Sequence, residues 1–193
     1  KVDSVTIKAN HNYSLLCIYT GDFDEFKRIN FKTLKLSKSI QDSLAMAIAS
    51  HNLGWYHHQN RFQNDSAYYY YYKAYKISEQ LELTSRQVDI LINISEIQGV
   101  EKDYIGSEES AIKAIKLAGH LPMDEYMKES LWLLYTRLGT GARIIKIFDR
   151  ALEYHEKALL IAKSMKEGII LQLSSENNMG HVYKEMGDYK KAL

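Results

Sequence analysis

The sequence predicts an all-α fold of helix pairs repeated along the chain, and two observations support this prediction. A single proline, Pro122, and ten glycines in 193 residues leave few places where long helices would break. Small residues also recur at one place in a helix-turn-helix pattern. The residues that precede them are separated by 41, 44 and 41 positions, and they are Leu53, Ile94, Leu138 and Met179. A fixed period of this length is typical of helical repeat proteins, in which each unit packs on its neighbours.

The clearest copy of the pattern covers residues 177–193. Gly180 is the small residue that lets two helices approach closely, and Tyr183 follows one turn later on the same helix face. Gly187 and Asp188 end the first helix and begin the second. This segment therefore predicts one helix pair, of which the second helix is incomplete.

The earlier copies keep the same register with one exception. The inward alanine of the second helix follows thirteen residues after Leu138, but Ala67 follows fourteen residues after Leu53. The turn at 60–65 is therefore expected to absorb one extra residue. A weaker first copy covers about residues 4–37, with Phe26 where a small residue is expected. The small residues of the other upstream copies are Gly54, Ser95 and Gly139.

These patterns predict ten helices and a single domain over 1–193. The helices are expected at 3–19, 22–38, 41–58, 64–80, 85–100, 103–118, 123–140, 145–164, 168–186 and from 188 onward. The repeats are expected at about 3–39, 41–81, 84–119, 123–165 and 168–193, the last one truncated. Because the pattern stops in mid-repeat and the chain begins with Lys1, we expect an excerpt of a longer protein.

The order Leu-Gly, Tyr, Ala, aromatic, Ala resembles the tetratricopeptide repeat (TPR). The long period, near 40 residues, is similar to that of repeat regions in bacterial regulatory and sensor proteins and in the kinesin light chain. The resemblance implies a right-handed α-solenoid of antiparallel helix pairs with about 4.5–5 repeats. It also implies that the first helix of each pair lines a concave groove that binds a protein or an extended peptide.

Composition argues against several other functions. The formal net charge is +1, so no long-range field would attract nucleic acid. The longest apolar runs are far shorter than the roughly 20 residues that a membrane-spanning helix needs. We expect a soluble protein, cytoplasmic or periplasmic. No phosphate-binding loop or catalytic motif occurs, so neither an enzyme nor a cofactor is expected.

On the resemblance, one set of side chains is expected to line the groove. Asparagines recur two residues before the small residue, and in peptide-binding members of the family such amides pair with the ligand backbone. Arg137 takes this place in the intervening repeat. The predicted groove residues are Asn52, Trp55, Gln59, Asp89, Asn93, Glu96, Arg137, Thr140, Asn178, His181 and Glu185.

Three further features could carry a function. In the run Tyr68 to Tyr72, we expect Tyr71 and Tyr68 to pack inside, and Tyr69, Tyr70 and Tyr72 to form a possible interface on the convex side. His51, Trp55 and His58 share one helix face beside His57, but without further ligands they do not indicate a metal site. The lone Cys17 is expected to be a small core residue.

The leading hypothesis is therefore a peptide- or protein-binding repeat module of a larger regulatory or signal-transduction protein. The alternative is a scaffold that assembles with itself through the tyrosine-rich helix. A third possibility, an enzyme whose active site lies outside this sequence, stays open.

Overall fold

The computed structural model describes residues 2–60 and 62–192, and this part of the chain is all-helical, without a strand. The helices are α1 (Val2–Thr20), α2 (Phe23–Ser39), α3 (Ser43–Trp55), α4 (Asn64–Gln80), α5 (Thr84–Val100), α6 (Tyr104–Ala118), α7 (Glu125–Ile144), α8 (Phe148–Lys163) and α9 (Ile169–Met186). A π-helical turn, Tyr56–Asn60, continues α3. The predicted all-α fold class is confirmed.

Three predictions about the helices are wrong, namely the end of the seventh helix, the start of the eighth, which begins at Phe148 instead of 145, and a tenth helix within residues 188–192. The seventh helix runs to Ile144 instead of 140, because Gly141 stays helical and the chain turns only at Lys146, which has a left-handed φ of 62°. No tenth helix is present among residues 188–192. They form a turn in which the carbonyl of Asp188 accepts from the N–H groups of Lys191 and Ala192. The predicted domain ends, Lys1 and Leu193, lie outside the described residues.

The chain divides into two compact units, residues 1–97 and 98–193. In the first unit, α1 packs on α2, α2 on α3 and α3 on α4. In the second unit, α6 packs on α7, α7 on α8 and α8 on α9. Within each unit, neighbouring helices joined by short turns form antiparallel pairs. The prediction that all repeats form one solenoid stays a prediction.

Most turns between helices share one structure, in which a left-handed residue follows the helix and an N-cap residue begins the next one. After α1, Gly21 has φ 73°, and the N–H of Asp22 donates to the carbonyl of Cys17, five residues back, as in a Schellman motif. The Asp22 carboxylate then accepts from the N–H of Glu25. Asp side chains cap three more helices in the same way, at Asp42, Asp103 and Asp124.

Glycines at two of the predicted positions allow the close helix contact. A Cβ on Gly54 would lie 2.6 Å from Cδ1 of Tyr71, and a Cβ on Gly139 would lie 2.5 Å from Cε1 of His155. Tyr71 and His155 are both fully buried. Because Gly54 on α3 and Gly139 on α7 have no side chain, the rings of Tyr71 on α4 and His155 on α8 can pack against them.

The extra residue of the second repeat is absorbed before the loop in which it was expected. The π-helical turn Tyr56–Asn60 holds one residue more than an α-turn, because its hydrogen bonds span five residues instead of four. The predicted turn at 60–65 includes Arg61, which lies outside the described residues. The π turn keeps Ala67 buried in register with the alanines of the other repeats.

Candidate functional site

Asn52 on α3 is held by a chain of side-chain hydrogen bonds that runs through Asn30 to Ser14. Its Nδ2 donates to Oδ1 of Asn30 on α2 at 2.8 Å. Asn30 uses its own Nδ2 to donate to Oγ of Ser14 at 2.8 Å and to the carbonyl of Phe26 at 2.8 Å. Because Asn30 and Ser14 are buried, this chain fixes the amide of Asn52 in one orientation.

Asn93 on α5 is fixed by two acceptors. Its Nδ2 donates to the carbonyl of Asp89 at 3.0 Å and to Nε2 of His51 at 3.3 Å. His51 must accept through Nε2, so its ring proton lies on Nδ1. Burial, with a smaller effect of Arg86, lowers the pKa of His51 to about 4 and keeps the ring neutral at ordinary pH.

These two asparagines keep the same group available. Within residues 2–60 and 62–192, the carbonyl oxygens of Asn52 and Asn93 have no hydrogen-bond partner. Both side chains are half-buried. An amide oxygen at each position can accept from a peptide N–H group.

Trp55, predicted for the groove, is half-buried and packs against the core of the first unit. Its ring packs on Phe23 at 5.9 Å and on Phe26 at 5.4 Å between ring centroids. Together with Cys17 and Tyr56, these rings form one apolar cluster. Phe26, which was expected to be an anomaly of a weak first repeat, is thus accommodated by Trp55.

The remaining predicted groove residues of the first unit differ in environment. Gln59 is exposed in the π-helical turn, and its amide lies 3.5 Å from Nδ1 of His58. Asp89 and Glu96 are half-buried on α5. Their role in the groove stays a prediction.

In the second unit, one of the predicted groove residues contacts a side chain of the preceding repeat. Glu185 on α9 forms an ion pair with Arg143 on α7. His181 is exposed, and its Nε2 lies 3.3 Å from Nδ2 of Asn177. Arg137, Thr140 and Asn178 are half-buried. The Glu185 carboxylate is therefore already used within the fold.

A pocket of about 240 Å³, which the sequence did not predict, lies between α1, α2 and α3 in the first unit. Asn30 lines it, so the pocket adjoins the amide chain that ends at Asn52. Lys8, His11 and Asp42 contribute its ionisable groups. Its apolar side chains include Ile7, Leu44, Ala45, Ile48 and Ala49.

The tyrosine run is arranged differently from the prediction in two respects. Tyr71 is fully buried, as predicted, but Tyr68 is 38% exposed and does not pack inside. Tyr70 is half-buried because its ring stacks on His57 at 5.5 Å and contacts Phe31 at 6.0 Å. Tyr69 and Tyr72 are exposed, as predicted.

The histidines near the π-helical turn pack within the fold. His57 and His58 are buried, and Nδ1 of His57 lies 2.9 Å from Oε1 of Gln63. Among the described residues, no group of three or more His, Cys, Asp or Glu side chains could hold a metal ion. No described helix has the length and apolarity needed to cross a membrane.

No protein-family model and no curated protein matches this sequence. The fold, however, is similar to solved structures of repeat proteins. BtubC (BKLC) from P. vanneervenii has a TM-score of 0.80 at 20% identity, over 99% of this chain and 84% of that chain. A putative kinesin light chain from P. anserina with nearly identical TPR-like repeats has a TM-score of 0.74 at 13% identity, over 96% and 89%.

A third similar structure is PilF of Pseudomonas aeruginosa, with a TM-score of 0.70 at 20% identity, over 100% of this chain and 74% of that chain. At these identities the similarity shows the fold. The predicted TPR-like fold is confirmed.

Proposed function

We propose that the chain is a protein-interaction module that holds an extended protein or peptide segment along α3 and α5 of its first unit. One observation carries the proposal: two amides, a repeat apart, are fixed by Asn30 and His51 and keep their carbonyl oxygens unused. The backbone N–H groups of an extended segment that is not paired in a sheet are available as hydrogen-bond donors. Asn52 and Asn93 supply matching acceptors.

Fixed amides favour binding because little conformational entropy is lost when the ligand arrives. Both hydrogens on Nδ2 of Asn93 are used within the fold, so this side chain offers an acceptor and no donor. Each ligand hydrogen bond then contributes about 0.5–1.5 kcal/mol. Such contacts recognise the backbone and give affinity without strict sequence selection.

We further propose that this module serves a larger regulatory or signal-transduction protein. The TPR-like fold hosts many roles, and its extended surfaces suit protein contacts. For the second unit, considered by itself, we propose that Arg137, Thr140 and Asn178 take part in protein binding.

The test starts from peptides that are selected on the whole chain from a displayed library of random linear sequences. Their dissociation constants are then measured by fluorescence anisotropy for the Asn52→Ala, Asn93→Ala and Gln80→Ala variants. Gln80 is an exposed amide at the end of α4 and serves as the matched control. We expect each asparagine variant to weaken binding by roughly threefold to tenfold, and the control to bind normally. If the asparagine variants bind as tightly as the control, the proposed face is wrong.

A second candidate function, self-assembly, is supported by the exposed rings on α4. Tyr69 is 60% exposed and Tyr72 is 49% exposed, and Tyr72 stacks on Tyr68 at 6.1 Å. Exposed tyrosines suit protein contacts, since each offers a large apolar face and a hydroxyl group. Sedimentation over a range of concentrations tests this candidate. A monomer at every concentration excludes it, and a dimer that Tyr69→Ser together with Tyr72→Ser abolishes supports it.

A further inference from the structure

We propose that the pocket between α1, α2 and α3 receives one large apolar side chain, of the size of leucine, methionine or phenylalanine, from an uncharged stretch of a bound peptide. This inference rests on the proposed function, because the pocket adjoins Asn52 through Asn30. It adds selectivity for one side chain to the proposed peptide-binding face, whose asparagines contact only the peptide backbone.

The size of the pocket selects a single side chain. At about 240 Å³, it exceeds a cavity of about 150 Å³ that holds one benzene molecule. It is smaller than the roughly 300–1,000 Å³ of sites for drug-sized ligands. Ile7, Leu44 and Ile48 supply aliphatic surface from two helices. A branched or aromatic side chain would fill this volume and remove that surface from water.

The charges of the pocket favour an uncharged ligand. Lys8 and Asp42 are opposite in sign. A ligand carboxylate near the Lys8 ammonium would therefore be repelled by the Asp42 carboxylate, and a ligand amine near Asp42 would be repelled by Lys8. A peptide group suits both, since its carbonyl can accept from Lys8 while its N–H donates to Asp42. Nδ1 of His11 is buried and has no hydrogen-bond partner among the described residues.

The test is an NMR titration of the whole chain with N-acetyl-leucine N-methylamide, followed at the methyl groups of Ile7, Leu44 and Ile48. N-acetyl-glycine N-methylamide is the probe without a side chain. N-acetyl-leucine and leucine N-methylamide carry one negative and one positive charge. We expect saturable shifts at these methyl groups with the neutral leucine probe, weaker binding of both charged probes, and none of the glycine probe. Equal shifts with the glycine probe, or shifts located elsewhere, would overturn the inference.

Two leucines of similar exposure provide a matched pair of variants. Leu44 is 47% exposed and lines the pocket, whereas Leu15 on α1 is 44% exposed and does not line it. Leu44→Ala should weaken the leucine probe by roughly fivefold, and Leu15→Ala should leave it unchanged. Equal effects would exclude the pocket.

The Asn93→Ala variant separates this inference from the proposed function. Asn93 does not line the pocket, so its loss should leave the leucine probe unaffected. If the probe binds at the pocket while Asn52→Ala and Asn93→Ala leave the affinity for selected peptides unchanged, the pocket inference stands and the proposed peptide-binding face is wrong. If the peptides require both asparagines and the probe does not bind, the pocket inference fails alone.

Discussion

The close contact between α7 and α8 can be tested with two glycines in one helix. A Cβ on Gly139 would lie 2.5–2.7 Å from three ring atoms of His155, whereas a Cβ on Gly141 would meet no atom within 4 Å. His155 is 1% exposed, so its ring cannot move aside into solvent. Replacing either glycine by alanine gains helix propensity, about 1 kcal/mol in each case. Only Gly139→Ala adds the cost of overpacking.

The difference between the two variants therefore isolates the contact. Overpacking a core costs about 1–3 kcal/mol, and here the added methyl group would press on one rigid, buried ring, that of His155. We expect Gly141→Ala to raise the free energy of unfolding by about 0.5–1 kcal/mol and Gly139→Ala to lie about 1–3 kcal/mol below it. Urea denaturation followed by far-UV circular dichroism measures both.

A second substitution checks the cause. In a His155→Ala background, which lacks the ring, Gly139→Ala should lower the free energy of unfolding less than it does in the protein with the native histidine. If Gly139→Ala stabilises the protein as much as Gly141→Ala does, the two helices do not nest at this glycine and the repeat register assigned to them is wrong.

Three further predictions concern buried polar groups. Burial, with a smaller effect of Arg143, lowers the pKa of His155 to about 4, below its value in the unfolded chain, so protonation favours unfolding. Protonation of His155 should lower the free energy of unfolding by roughly 2 kcal/mol between about pH 7 and pH 5. His155→Tyr should reduce this loss, as measured by urea titrations at a series of acidic pH values. Asn30→Ala should cost about 1–3 kcal/mol because Ser14 and Asn52 lose their partner, while Asn12→Ala at an exposed site should be neutral; equal costs would contradict the amide chain. Burial, with Asp22 and Glu25, raises the pKa of the Cys17 thiol, so a thiol reagent should label it only after unfolding, and rapid labelling of the native protein would show that it is accessible.

The sequence predicted those features that depend on local chemistry. Aspartates at helix starts and small residues at a fixed period identify the turns and the close contacts, and both patterns are visible without coordinates. The ring that fills each glycine gap could also be assigned from the register, since Tyr71 and His155 each precede an inward alanine by three residues. Helix ends were less certain where Lys146, not a glycine, takes the left-handed conformation.

The candidate site was only partly predictable because its geometry comes from tertiary contacts. The asparagine positions followed from the repeat, but their partners Asn30 and His51 lie 22 and 42 residues away. The pocket depends on α1, whose copy of the pattern is too weak to mark Lys8 or His11. Trp55 and Tyr70 were assigned to surfaces, and aromatic packing against Phe26 and His57 explains why both are half-buried.

The most direct test of the central claim is the response of the side-chain amide NMR resonances to a peptide selected on the whole chain. If α3 and α5 hold an extended segment, the resonances of Asn52 and Asn93 should shift together, in proportion to occupancy, while that of the control Gln80 stays in place. Shifts confined to α4 around Tyr69, or to the second unit, with both asparagines unchanged, would contradict the claim.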